Sequence, residues 1–101
     1  KVENLMTNQY EIEQCLVYGD GKNHLVALVV PSDEFINEED KIKEKVEEIN
    51  KGLSVIEKIK NIIVVKEKFS IENRMLTPTL KLKRFKIIEK YKKQLENLYL
   101  K

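Results

Sequence analysis

The chain is poor in the residues that carry metal and disulfide chemistry. It has one cysteine and one histidine, Cys15 and His24, among 101 residues. A single thiol excludes an internal disulfide and points to a reducing compartment. A lone imidazole without a cysteine cluster gives no expectation of a metal site. No apolar run approaches the roughly 18 or more residues of a membrane-spanning helix. The start, Lys1-Val2-Glu3-Asn4, lacks the apolar core of a secretory signal, and a cytoplasmic location is expected. There is no internal repeat, low-complexity stretch or linker. Lys1 is not an initiator methionine, and Val2, Leu5 and Met6 already fall on one helical face. The chain is therefore expected to begin inside an element, as an excised domain would.

What is present fits one small domain. Apolar residues make up 42% and charged residues 36%, which suits a globular domain with a heavily solvated surface. The net charge of +2 is unevenly spread. Residues 1–60 hold 8 Lys/Arg and 13 Asp/Glu, a balance of −5, while residues 61–101 hold 11 and 4, a balance of +7. An anionic partner is expected on the C-terminal side. One function class follows directly: a small basic module for an anionic membrane or nucleic acid. Lys83, Arg84, Lys86, Lys90, Lys92 and Lys93 would carry the contact. Glu89 and Glu96 interrupt that surface, and no aromatic platform for bases is apparent.

The apolar pattern predicts a short helix to about Asn8, a strand over 12–18, and a glycine turn over 19–23. A near-continuous apolar strand over 25–30 follows, stopped by Pro31. Ser32 or Asp33 would cap a short turn before Asn37. Ile42, Val46 and Ile49 mark an amphipathic helix over 39–51, with Glu38, Glu39 and Asp40 at its N-terminus. Ser54 and Glu57 have capping-box spacing for a further short helix carrying Val55, Ile56 and Ile59. Residues 62–65 read as a third strand, residues 67–75 as loop, and residues 76–80 as extended around Pro78. Phe85, Ile88, Tyr91, Leu95 and Leu98 mark a last helix with a lysine-rich opposite face. The expected fold class is α/β, in the order α-β-β-α-α-β-α. It has a three-stranded sheet, a β-hairpin plus a third strand, packed by helices.

The most specific phrase is Leu76-Thr77-Pro78-Thr79-Leu80-Lys81-Leu82-Lys83-Arg84. Proline fixes its own φ and disfavours the helical region at Thr77. A stiff loop then presents Lys81, a compact charge on a long stem with three donors. Such a cation suits a reaction in which phosphate oxygens gain negative charge. On the residues alone it is equally an exposed lysine beside a turn, and Lys-x-Lys-Arg equally a phosphate patch.

This phrase resembles the C-terminal lysine motif of adenylate-forming enzymes, in its long-chain fatty acyl-CoA synthetase version. The resemblance extends in order through Val2-Glu3-Asn4-Leu5, Ile12 to Gly21, Leu25 to Pro31 and Glu67 to Asn73. Tyr91 and Leu98-Tyr99 also match. It implies a single C-terminal mobile domain over 1–101, with a large N-terminal domain and hinge outside this chain. It implies an enzyme that joins a carboxylic acid to ATP and passes the acyl group to coenzyme A. ATP, Mg2+ and coenzyme A would be held mainly by the N-terminal domain, and the isolated chain would be inactive. It implies a catalytic role for Lys81, with Thr77, Pro78, Thr79 and Arg84 as supporting motif and Lys83 as the alternative inserted lysine. The region from Gly19 to Lys22 would lie near the domain interface. Fatty acid is the implied substrate. Lys83, Lys86, Lys90 and Lys93 would offer a peripheral contact to the inner face of a membrane. Leu80 stands where many relatives carry glycine, which is normal for the long-chain branch, and Arg74 stands where glycine often follows the Ile71-Glu72-Asn73 stretch. Cys15 is expected to be a buried structural thiol, and Tyr91 and Tyr99 packing residues.

Overall fold

A computed structural model describes residues 2–19 and 21–100. Its elements run α1 (Val2–Thr7), β1 (Ile12–Tyr18), β2 (Leu25–Pro31), a 3-10 turn (Asp33–Phe35), α2 (Glu39–Asn50), a second 3-10 turn (Val55–Glu57), β3 (Ile59–Val64) and α3 (Arg84–Asn97). The sheet order is β1-β2-β3. β1 pairs antiparallel with β2, Leu16 opposite Leu28, and β3 pairs parallel with β2, Ile62 beside Ala27.

The unbroken apolar run of β2 has a direct cause, because this central strand is covered on both faces. Val26, Leu28 and Val30 point to one face and pack with Leu16, Phe69, Ile87, Tyr91 and Leu95. Ala27 and Val29 point to the other and pack with Met6, Cys15, Ile42, Val46 and Ile59. Thus α3 covers one side of the sheet and α1 with α2 the other, a three-layer α/β arrangement of the expected class. Cys15 is a buried free thiol, as expected.

Four local expectations are corrected. The third strand begins at Ile59, not residue 62. Asn50, at the end of α2, causes this: its side chain accepts from the Ile59 N–H (2.9 Å) and donates to the Ile59 carbonyl (2.8 Å), so it stands in for a neighbouring strand. The further short helix is a single 3-10 turn without a side-chain cap. Ser54 Oγ donates to the Glu57 carboxylate instead (3.2 Å), and Val55 and Ile56 are 84% and 82% exposed. Ser32 precedes the first 3-10 turn, but its hydroxyl donates to the Tyr10 carbonyl and makes no cap. Finally, α3 buries Ile87, Tyr91 and Leu95, while Phe85 is 79% exposed. At about 100° per residue, Phe85 lies about 120° around the helix from Tyr91 and misses the sheet.

The glycine turn is tied to the end of α3. Gly19 has φ +147°, and a Cβ there would lie 2.8 Å from the His24 carbonyl oxygen and 3.0 Å from Tyr99 Oη. Tyr99 Oη donates to that carbonyl (2.8 Å), and its ring lies 4.6 Å from the His24 ring. Tyr18 Oη and Lys22 Nζ both donate to Glu96. Both tyrosines, Tyr91 in the core and Tyr99 here, are packing residues. Asp20, within the expected turn, lies outside the described residues.

Candidate functional site

The lysine phrase folds as a tight hairpin, where the sequence suggested an extended segment. Leu76 and Leu82 form an antiparallel bridge. The Thr77 carbonyl accepts from the Leu80 N–H (2.8 Å), and the Thr77 N–H donates to the Lys81 carbonyl (2.8 Å). Pro78, Thr79 and Leu80 form the three-residue tip, with Leu80 at φ 67°. A turn of this length closes on a residue in the left-handed region. Glycine takes that conformation freely, and other residues do so at roughly 1 kcal/mol or more. Thr77 also works through its side chain. Its Oγ1 accepts from the Lys81 N–H (3.1 Å) and lies 3.0 Å from Thr79 Oγ1. The motif threonines and the proline therefore set the turn.

The base of the hairpin is held from below. The Lys83 N–H donates to the Met75 carbonyl (2.8 Å), and the Lys83 carbonyl accepts the first bond of α3 from the Ile87 N–H (3.1 Å). The Ser70 carbonyl accepts from the N–H groups of both Met75 and Leu76. Asn73 Oδ1 accepts from the Ser70 and Met75 N–H groups, and its Nδ2 donates to the Lys68 carbonyl. Gln14 on β1 donates to the Phe69 carbonyl (2.9 Å) and accepts from the Phe69 N–H (2.7 Å). Arg74, at the second position where relatives often have glycine, takes φ 68° itself, so the turn keeps its shape.

Arg84 is engaged within the domain. Its guanidinium donates to both carboxylate oxygens of Glu3, with Nη1 2.7 Å from Oε2. Glu3 Oε2 also accepts from the Val17 N–H (2.7 Å). Burial would raise the Glu3 carboxyl, but the bonds from Arg84 and Val17 and the Arg84 charge outweigh it and hold the group below the ordinary glutamate range. Burial is also the larger cause that pushes the nearby Cys15 thiol up to about 12, with the Glu3 charge adding to it. Glu3, Gln14, Cys15, Leu82, Arg84 and Lys81 line one groove of about 590 Å³, with Lys81 at its hairpin edge.

Lys81 differs from its neighbours. It is exposed, and among the described residues it has no ion pair or side-chain hydrogen bond of its own. Lys83 likewise has no ion pair or side-chain hydrogen bond among the described residues, but it is half-buried, at the position preceding α3. On α3, Lys86, Lys90 and Lys93 recur at i, i+4 and i+7 and so share one face. Lys90 is paired with Glu67 (3.0 Å). Among the described residues, no group of three or more His, Cys, Asp or Glu is placed to hold a metal.

The sequence reading missed Glu3 and Gln14 as supports. Each is joined to its partner across a long separation, 81 residues for Glu3 and Arg84 and 55 for Gln14 and Phe69, which leaves no local signal.

The AMP-binding enzyme C-terminal domain family matches residues 1–101. Long-chain-fatty-acid–CoA ligase 6 of Rattus norvegicus is 34% identical over 98% of this chain and 18% of its own length. The Homo sapiens ligase of the same name is 33% identical over the same shares. The chain thus spans less than a fifth of these relatives. Among solved structures, the adenylation domain of a carboxylate reductase from Mycobacterium chelonae superposes with a TM-score of 0.87. It is 30% identical over all of this chain and 17% of its own. The corresponding domain from Segniliparus rugosus, in complex with AMP and a co-purified carboxylic acid, gives 0.86 at 27% identity over 97% of this chain and 17% of its own.

Proposed function

The chain belongs to the AMP-binding enzyme C-terminal domain family, and from that premise we propose that it serves a long-chain fatty acid–CoA ligase by delivering Lys81 to the adenylation centre. The observation that carries the proposal is the bare, unpaired Lys81 on a locked hairpin, beside an Arg84 already neutralised by Glu3. Of the basic residues in the phrase, Lys81 is the one that is both exposed and without a side-chain partner among the described residues. Lys83, which also lacks a side-chain partner among them but is half-buried at the base of the hairpin, is the second choice.

The complete enzyme would bind fatty acid, ATP with Mg2+, and coenzyme A, chiefly through a larger N-terminal domain. ATP supplies the α-phosphorus that the fatty-acid carboxylate attacks, with pyrophosphate as leaving group. Lys81 acts as a fixed cation near the carboxylate and the α-phosphate oxygens. It lowers the repulsion between two anions and stabilises the charge that builds on the phosphate oxygens. It transfers no proton. The stiffness of the Thr77-Pro78-Thr79 turn reduces the entropy lost when the lysine is placed. By itself the domain has no acyl or nucleotide pocket in this scheme and is inactive.

The test is fatty-acid-dependent ATP–pyrophosphate exchange by the complete ligase. Lys81→Ala is expected to lose about 100-fold or more, the effect of removing one positioned donor. Lys83→Ala should stay within a few-fold of wild type, and thioester formation from preformed acyl-adenylate should persist in both. A silent Lys81→Ala would refute the assignment.

A further inference from the structure

We infer that Leu80 is a positioning residue for Lys81: its side chain seats the hairpin tip in an apolar recess of the larger domain during adenylation. The inference rests on the reading of Lys81 given above. Two independent observations meet at this residue. Leu80 holds φ 67°, in the region where side chains other than glycine are strained. It is also 66% exposed, so this domain offers no burial that offsets the strain.

No other described residue combines the two. Arg74 shares the backbone conformation, but its polar side chain is at home in water. Val55, Ile56 and Phe85 are exposed and apolar, but their backbones are not left-handed. Glycine at position 80 would relieve the strain at the loss of a side chain that is mostly in solvent. The leucine is therefore accounted for by a contact outside the domain, and the family membership with a span of 18% of relatives supplies the body that makes it.

The geometry also explains how such a contact would act on Lys81. The Leu80 N–H is fixed to the Thr77 carbonyl, and the Lys81 N–H to Thr77 Oγ1. The two backbones move as one unit, so seating Leu80 sets where the root of the Lys81 side chain arrives, within reach of its ammonium group. An apolar seat also excludes water beside the lysine, where its charge then acts more strongly on an anion. Burying the exposed two-thirds of a leucine is worth roughly tenfold in the population of the docked arrangement.

The experiment compares Leu80→Gly, Leu80→Asn and Leu80→Met with Lys81→Ala in the complete ligase. Glycine and asparagine both tolerate the left-handed conformation, and neither fills an apolar recess; methionine does. ATP–pyrophosphate exchange should fall roughly tenfold in the glycine and asparagine variants and stay near wild type with methionine. Thioester formation from preformed acyl-adenylate and the melting temperature should be unchanged or higher, which separates positioning from a role in folding. Wild-type exchange in Leu80→Gly and Leu80→Asn, with Lys81→Ala inactive, would overturn this inference and leave Lys81 in its role. Equal loss in both half-reactions would make Leu80 a folding residue and overturn it too. A fully active Lys81→Ala would overturn both proposals together.

Discussion

The Glu3 carboxylate joins three elements, α1 through its own position, β1 through Val17 and α3 through Arg84, so its removal should be felt beyond the surface. The bidentate pair looks strong, but the Arg84 side chain is 51% exposed and that of Glu3 is 21% exposed. Water therefore replaces much of the pairing, and the ion pair contributes about 1 kcal/mol. The Val17 N–H lies on an edge strand and has Glu3 as its partner; losing that bond costs about another 1 kcal/mol. Glu3→Ala should destabilise the domain by about 2 kcal/mol. Glu3→Gln keeps an oxygen for Val17 and should lose about 1 kcal/mol. For a domain of this size, 1 kcal/mol moves Tm by about 4–8 °C. Alanine should therefore lower Tm by about 8–16 °C and glutamine by about half of that, measured by circular dichroism at pH 7.

The pH dependence has a fixed sign. The folded-state carboxyl titrates below its ordinary value of 4.5. Its stabilisation is complete above that unfolded-state value and is lost as the pH falls through the lower, folded-state value. The gap between wild type and Glu3→Gln should thus be widest near neutral pH and narrow as the pH falls below 4.5 through the lower, folded-state value. A Glu3→Ala melt within about 2 °C of wild type at pH 7, or a gap that does not narrow in acid, would refute this account of the pair.

Two further outcomes follow from local geometry. Gly19→Ala should lower stability by about 2 kcal/mol or more, since its Cβ would meet the His24 carbonyl oxygen at 2.8 Å, while Gly21→Ala, with nothing within 4 Å, should cost only its backbone strain of about 1 kcal/mol; thermal melts of the two variants check the order. Cys15 is 2% exposed and its thiol is pushed up to about 12, so a disulfide reagent at pH 8 should modify the native domain roughly 100-fold more slowly than the urea-unfolded chain, and prompt stoichiometric reaction of the native form would contradict its burial.

The sheet was legible where apolar runs meet strong punctuation. β1 is bounded by Gly19, and β2 ends at Pro31, so both strands fall where the pattern puts them. The start of β3 was not legible, because it depends on a side chain nine residues earlier, Asn50, acting as a mock strand. Phe85 misled through its type: a large apolar residue at the start of an amphipathic helix reads as core, yet its angular position turns it away from Tyr91 and Leu95. The hairpin hid for a related reason. Its closing residue takes a conformation whose ordinary sequence signal is glycine or asparagine, and Leu80 carries neither mark. The lysine itself stood out as a motif, whereas Glu3 and Gln14, which hold its loop, lie in phrases that resemble the family but are too distant in sequence to show what they pair with.

The distribution of hydrogen bonds around that loop bears on the proposed delivery of the Lys81 charge to another domain. Below the tip, order is dense: Gln14 grips Phe69, Asn73 ties Ser70 to Met75, and Lys83 closes on Met75. At the tip, Pro78, Thr79, Leu80 and Lys81 are all exposed. A flexible loop would lose conformational freedom each time it entered another domain's site, and that loss would subtract from the binding energy available for the reaction. Here the freedom has already been given up in folding, and the sheet and α3 supply the stabilisation that makes this possible. The same reasoning explains why two residues other than glycine can hold positive φ at Arg74 and Leu80: the bonds around them determine the turn more strongly than local preference opposes it. On the proposed role of Lys81, loosening the base should lower ATP–pyrophosphate exchange by the complete ligase even with the tip residues unchanged.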